Sequence, residues 1–214
     1  LFTISASTDV VPGATLRVQL HGGAQPAGAP TGLAFPLHFL GGPPATDTWT
    51  PNGFGNEVAM RAAHDVVLQA VAAAALALGE VATVVDYGCG DGTLLARVPC
   101  ANRQGFELNA NAAAAARLNG VEVLGGDMAL DHNATLPQCD VALLMPGRLL
   151  EMGDKAQPWA AELRRTARAV VVYAYGDWLG QHGSLEGLAT KALGQGRLLG
   201  AVTGTNVSGG IWAW

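Results

Sequence analysis

Asp86-Tyr87-Gly88-Cys89-Gly90-Asp91-Gly92-Thr93-Leu94 is the stretch on which the reading of this chain turns. It follows a short apolar run, Ala82-Thr83-Val84-Val85, and leads into Leu95-Ala96-Arg97-Val98. The pattern is a strand, a glycine-rich turn and the start of a helix. Gly88, Gly90 and Gly92 let the backbone turn tightly and let a ligand come close to the main chain. The helix expected next would direct its unpaired N–H groups into the turn, a setting suited to a carboxylate or a phosphate. Asp86 ends the strand where an acid can take up a cationic or hydroxyl-bearing group. Cys89 sits where a small residue fits and does not read as a nucleophile.

Two more strands end in acids. Gln104-Gly105-Phe106-Glu107 reads as the second strand, and Glu107 lies fifteen residues after Gly92. An acid in that place can accept hydrogen bonds from both hydroxyls of a ribose. Asn109 suits an N-cap, Ala110 to Leu118 is strongly helical, and Gly120 ends the helix. Val121-Glu122-Val123-Leu124 reads as the third strand and Gly125-Gly126-Asp127-Met128 follows it. Asp86, Glu107 and Asp127 are thus spaced 21 and 20 residues apart. Each would close a strand of one parallel sheet, and such sheets bind ligands outside the carboxyl ends of their strands.

The pattern acidic-x-Gly-x-Gly-x-Gly, with the later run Glu-Leu-Asn-Ala-Asn-Ala-Ala, resembles class I S-adenosylmethionine-dependent methyltransferases over about residues 55 to 214. It departs from the dinucleotide fingerprint, which wants a small residue where Thr93 stands, so a dehydrogenase fits poorly. The resemblance implies an α/β, Rossmann-like fold: a seven-stranded sheet with helices on both faces and the last strand antiparallel. It implies S-adenosyl-L-methionine as cofactor, held by Asp86, Gly88, Cys89, Gly90, Gly92, Glu107, Leu108, Asp127, Met128 and Met145. In this family an Asp placed like Asp127 accepts the adenine amino group, with an apolar neighbour, here Met128, against the ring. The exit Met145-Pro146-Gly147-Arg148 would lie beside the transferable methyl group. It is not the Asn/Asp-Pro-Pro-Tyr signature of enzymes that methylate base amino groups, which weakens a DNA or RNA amino-methylation reading.

At 214 residues the chain fits one domain with a small appendage. Residues 1 to 45 are rich in glycine and proline, with strand-like runs at Phe2 to Ile4, Thr15 to Leu20 and Leu33 to Leu40. They read as a β-rich N-terminal arm or cap: a substrate lid, a homodimer contact or a packed extension. Residues 46 to 214 would form the cofactor-binding domain. Half the residues are apolar, 14% are charged and the net charge is −5, with no basic stripe. That argues against sequence-independent nucleic-acid binding. Cys89, Cys100 and Cys139 lack metal-type spacing and read as reduced thiols of a cytoplasmic protein without a metal. The apolar stretch Val66 to Leu78 is too short to span a bilayer. The N-terminus shows no signal-peptide pattern. The chain begins at Leu1 rather than at a methionine, as a trimmed chain or a fragment would.

A helix is expected from about Asn56 to Leu78, stopped by Gly79. In the family such a helix often covers the cofactor; Arg61 and His64 share one of its faces. Asp140 to Met145 reads as the fourth strand. A helix restarted at Pro158 follows, and its basic end, Arg164, Arg165 and Arg168, fits the negative end of a helix. Ala169 to Tyr175 reads as a buried, almost purely apolar strand, with Asp177 and Trp178 beyond its end. Ser184 to Leu193 reads as a helix, and Leu198 to Thr203 with Gly210 to Trp214 as a closing hairpin around a glycine-rich turn.

The sulfonium already activates the methyl group, so positioning can suffice and a dedicated base is not obligatory. His64, Asp177 and His182 are the candidate bases or orienting groups, and Arg148 is a candidate anchor for an anionic substrate. Trp49, Phe54 and Trp178 could line an apolar pocket; a place in the core fits them equally. Two functions stay open: methyl transfer to O or N of a small-molecule acceptor, and a nucleoside-binding subunit of the same fold without transfer activity.

Overall fold

The computed structural model describes residues 15–18, 33–36, 56–126 and 136–214, with residues 15–18, 33–36 and Asp177 described in their backbone alone. Asp127, Met128, Trp49, Phe54 and the expected strand Phe2 to Ile4 lie outside the described residues. The chain divides into two units, Leu1–Thr46 and Asp47–Trp214. In the first, β1 (Thr15–Val18) pairs antiparallel with β2 (Leu33–Pro36), Thr15 opposite Pro36.

The second unit is a seven-stranded sheet. Its strands are β3 (Thr83–Tyr87), β4 (Asn102–Phe106), β5 (Glu122–Gly125), β6 (Cys139–Leu144), β7 (Ala167–Tyr175), β8 (Arg197–Gly204) and β9 (Val207–Ala213). Their order is β5-β4-β3-β6-β7-β9-β8. β3 to β7 run parallel, and β9 is antiparallel to both of its neighbours. The order reverses between β3 and β6, so the carboxyl ends of these strands form the crevice where such sheets take ligands.

Period-two alternation divides the core between the two faces. On one side Val84, Val141, Leu143, Val171 and Tyr173 pack under α1 (Glu57–Leu78), and α2 (Ala110–Leu118) contributes Ala116. On the other, Val85, Tyr87, Leu144, Val170 and Val172 meet α3 (Pro146–Leu150), α4 (Ala156–Thr166) and α6 (Leu185–Leu193). A seven-residue helix, α5 (Gly176–His182), leads from β7 to α6.

Local chemistry sets the helix ends. Asn56 caps α1 by accepting from Ala59 N at 2.9 Å, and Asn109 caps α2 by accepting from Asn111 N and Ala112 N. Ser184 Oγ accepts from Gly187 N at the start of α6. Small residues let α1 come close to the sheet: Ala63, Ala70 and Ala74 are buried, and a Cβ placed on Gly209 of β9 would lie 3.5 Å from Val67 Cα. At 22 residues α1 is long and apolar enough to cross a membrane, the sole such helix among the described residues; here its buried stripe lies on the sheet.

Three expectations change. The short helix expected after the glycine turn, ended near Pro99, is a three-residue 3-10 turn, Leu95–Arg97, because the chain must return to β4 at Asn102. The closing hairpin turns at Thr205-Asn206, with Asn206 at φ 63°. Gly209 and Gly210 therefore belong to β9, where α1 and β8 crowd in from above and beside. Arg168 opens β7 and serves a different helix: it donates to Leu78 O at the end of α1, at 3.0 Å, and to Asp140 Oδ1 at 2.7 Å. Asp140 Oδ2 in turn accepts from Ala82 N and Thr83 N, which fixes the start of β3.

Candidate functional site

The glycine turn is tied to the exit of β4. Gly88 N and Cys89 N both donate to Phe106 O at 2.9 Å. Gly90 N donates to Glu107 Oε2 at 2.9 Å, while the other oxygen of that carboxylate accepts from Asn109 N at 2.7 Å. Gly88 and Gly90 have φ of 105° and 56°, a region closed to most side chains, and a Cβ on either would meet nothing within 4 Å. The turn is bare, and open to a ligand approaching its main chain. Below it the packing is tight. A Cβ on Gly105 would lie 2.6 Å from Cys89 Sγ, and one on Gly92 would lie 2.9 Å from Val121 Cγ2.

Five amides of the turn are engaged within the protein. Besides those of Gly88, Cys89 and Gly90, Gly92 N donates to Cys89 O and Thr93 N to Asp91 Oδ1. With only a 3-10 turn behind it, no α-helix directs its N–H groups here. The turn therefore offers an anion few free N–H groups, and the carboxylates of Asp86 and Glu107 lie against it.

Asp86 lies beneath the turn, 1% exposed. Its Oδ1 accepts from the Tyr173 hydroxyl at 3.4 Å. Burial pushes its carboxyl up to about 7; the Tyr173 hydroxyl opposes that rise and the nearby Glu107 charge adds to it. Among the described residues neither Asp86 nor Glu107 enters an ion pair. Burial likewise pushes the Cys89 thiol up to about 12, so it is no thiolate at neutral pH.

Several residues singled out in the sequence meet at this edge. Asp86, Gly88, Cys89, Gly90, Gly92 and Glu107 form one connected cluster. Leu108, next to Glu107, is a large apolar side chain that is 72% exposed. Met145 follows β6, half-buried, at the N-cap position of α3.

The proposed bases and anchor are more scattered. His64 is buried on α1 with no hydrogen-bond partner for Nδ1 among the described residues. Burial, helped by Arg97, brings its imidazole down to about 4, so it is neutral at pH 7. Arg148 points to solvent on α3 and pairs with Glu151 at 3.3 Å. His182 stacks on Trp178 in α5, with centroids 6.0 Å apart, and Trp178 in turn covers Gly147. The backbone of Asp177 belongs to the first turn of α5.

The sequence reading missed Tyr173 and Tyr175. Two residues apart on β7, they share the α1 face near the carboxyl edge, their rings edge to face at 5.8 Å. Two phenols at period two end the strand, but nothing local in the sequence ties either to Asp86.

The sheet order, the reversed β9 and the position of the turn define the fold of class I S-adenosylmethionine-dependent methyltransferases. Comparison with solved structures gives the same fold. The N-methyltransferase NodS from Bradyrhizobium japonicum WM9 is similar with a TM-score of 0.56 at 13% identity, over 75% of this chain and 98% of that one. An S-adenosylmethionine-dependent methyltransferase from Clostridium acetobutylicum ATCC 824 is similar with a TM-score of 0.54 at 10% identity, over 70% of this chain and 91% of that one. WbdD, a bifunctional kinase-methyltransferase, is similar with a TM-score of 0.52 at 17% identity, over 74% of this chain. The similar region spans 40% of WbdD. No protein-family model matches the chain, and no curated protein matches its sequence.

The residues present fit such a cofactor. The bare main chain at Gly88 and Gly90 leaves room for it. The carboxylates of Asp86 and Glu107 suit its cationic and hydroxyl groups.

Proposed function

We propose that the protein is an S-adenosylmethionine-dependent methyltransferase acting on O or N of a small-molecule acceptor. The observation that carries this is the acceptor-rich cluster of Asp86, the bare glycine turn and Glu107 at the point where the strand order reverses. Asp86 would take the cofactor's ammonium group. Glu107 would take the ribose hydroxyls; a carboxylate has about four lone-pair positions, and its two backbone bonds leave room for two more. Leu108 and Met128 would cover the adenine and Asp127 would accept from its amino group. Met145 would border the methyl group, which the bound cofactor supplies already activated by its sulfonium.

The protein's part is then to hold the acceptor in line and keep water out, which can supply a large share of the rate. A protonated acceptor also needs a base. The net charge of −5 and the exit Met145-Pro146-Gly147 favour a small acceptor over a nucleic acid. The unpaired Cys89, Cys100 and Cys139 suit a reducing compartment such as the cytoplasm.

One observation favours the non-catalytic reading: His64 is buried and Arg148 is paired at the surface, so neither is free to act on an acceptor. Methyl-labelled cofactor incubated with pools of hydroxyl- and amine-bearing metabolites separates the two readings. Label transferred to one pool supports the enzyme; S-adenosylhomocysteine bound without turnover on any pool supports the subunit.

A further inference from the structure

The Asp86 carboxylate is held by a residue from two strands away. In the sheet β6 lies between β3 and β7, so the Tyr173 side chain crosses β6 on the α1 face to reach Asp86 Oδ1. Neighbouring strands lie about 4.8 Å apart, so only a long side chain covers that span. The Tyr173 ring is confined. Its cross-strand neighbour on β9 is Gly209, above which the α1 backbone comes down at Val67, and Tyr175 packs edge-on beside it. Space over β9 is thus taken, and the ring lies over β6 with its hydroxyl toward Asp86.

Tyr173 is 3% exposed and Asp86 1%, so neither is held by bulk water. Among the described residues, the charged and titratable groups facing Asp86 are Tyr173 and Tyr175 from β7, Cys89 from the turn and Glu107 beyond β4. None of them is a cation. An ammonium group would complete the cluster, provided the carboxylate is ionised and correctly aimed. The phenol is the one side-chain donor the described structure gives it for both purposes.

We propose that Tyr173 is a positioning residue that keeps Asp86 ionised and aimed at the cationic amino-acid end of the cofactor, and so selects amino-acid-bearing nucleosides over bare ones. This rests on the cofactor reading above. Tyr173 need touch neither the nucleoside nor the acceptor; it acts through Asp86.

The test compares two ligands that differ in the part Asp86 would contact. S-adenosylhomocysteine carries the amino-acid end; 5′-methylthioadenosine keeps adenine, ribose and sulfur without it. Affinities are measured by calorimetry for the wild type, Tyr173→Phe, Asp86→Asn and the double variant. Tyr173→Phe should weaken S-adenosylhomocysteine about tenfold, the loss of one hydrogen bond to a charged group. Binding of 5′-methylthioadenosine should stay within about twofold, which also reports that the variant is folded. The double variant should be no weaker than Asp86→Asn alone, because Tyr173 acts through that residue. Equal losses for both ligands, no loss for either, or additive losses in the double variant would overturn the proposal while leaving the cofactor site standing. A wild type that binds neither ligand would overturn the cofactor reading, and this proposal with it.

Discussion

Glu107 accepts a hydrogen bond from the main-chain N–H of Gly90, seventeen residues earlier in the chain, at 2.9 Å. Its second oxygen accepts from Asn109 N, so one side chain joins the glycine turn to the start of α2. Both partners are donors. An amide at this position has one acceptor and one donor end, and its NH₂ must then face a backbone N–H. Glu107→Gln is therefore expected to cost about 1–2 kcal/mol of stability, a loss read in urea titrations. The Gly90 and Asn109 amides should exchange faster with solvent. Unchanged stability and exchange would mean the carboxylate does not hold the turn.

Asp86 makes a pH prediction with a definite sign. Its carboxyl rises from the ordinary 3.8 to about 7 in the folded protein. The folded state then binds this proton more tightly than the unfolded state, so this group lowers stability as pH rises between the two values. Asp86→Asn should be more stable than wild type at about pH 8, an advantage that fades toward about pH 4. The same variant should bind S-adenosylhomocysteine poorly, because stability and function oppose each other at this residue. Denaturation across that range checks it; a variant less stable than wild type at the higher pH would contradict the account.

Gly105 is a glycine for packing. A Cβ there would lie 2.6 Å from Cys89 Sγ and 2.8 Å from Cys89 Cβ. Gly105→Ala should cost about 1–3 kcal/mol through overpacking and weaken cofactor binding by displacing the turn. Adding Cys89→Gly should restore much of the binding. Thermal melts and calorimetry on the pair give the result, and a double variant as impaired as Gly105→Ala would show the strain lies elsewhere.

Asp140 and Arg168 work at the opposite end of the strands. Hydrogen bonds from Arg168, Thr83 N and Ala82 N hold the Asp140 carboxyl below the usual range. That contribution is present above about pH 4 and is lost as pH falls through the lowered folded-state value. Asp140→Asn should destabilise at pH 7 by about 1–2 kcal/mol, with the gap narrowing in acid. Cofactor affinity should not change. A large loss of affinity with unchanged stability would place this pair in the site rather than in the frame.

Much of this was legible in the sequence because local signals agree with the global fold. Asn56, Asn109 and Ser184 mark their helix starts as caps, and the glycine turn marks the strand-to-helix crossover. The short helix after the turn and its stop near Pro99 were legible, but not its 3-10 type, since the quick return to β4 leaves space for one tight turn. Gly209 and Gly210 look like a turn in sequence, but they pair with β7 and β8 inside β9, and at Gly210 a Cβ would lie 2.2 Å from Gly200 O. Arg168 looks like the end of its own helix, and only the sheet shows that it closes α1. Tyr173 reads as one more apolar strand residue; its contact with Asp86 spans 87 residues of chain and no local pattern encodes it.

The most direct test is a calorimetric titration of the wild type and of Glu107→Ala with S-adenosylhomocysteine, with circular dichroism on both. The account predicts binding in about the micromolar range for the wild type, lost by about a hundredfold or more in a variant that keeps its helical signal. A folded wild type that does not bind, or a Glu107→Ala variant that binds equally well, would contradict it.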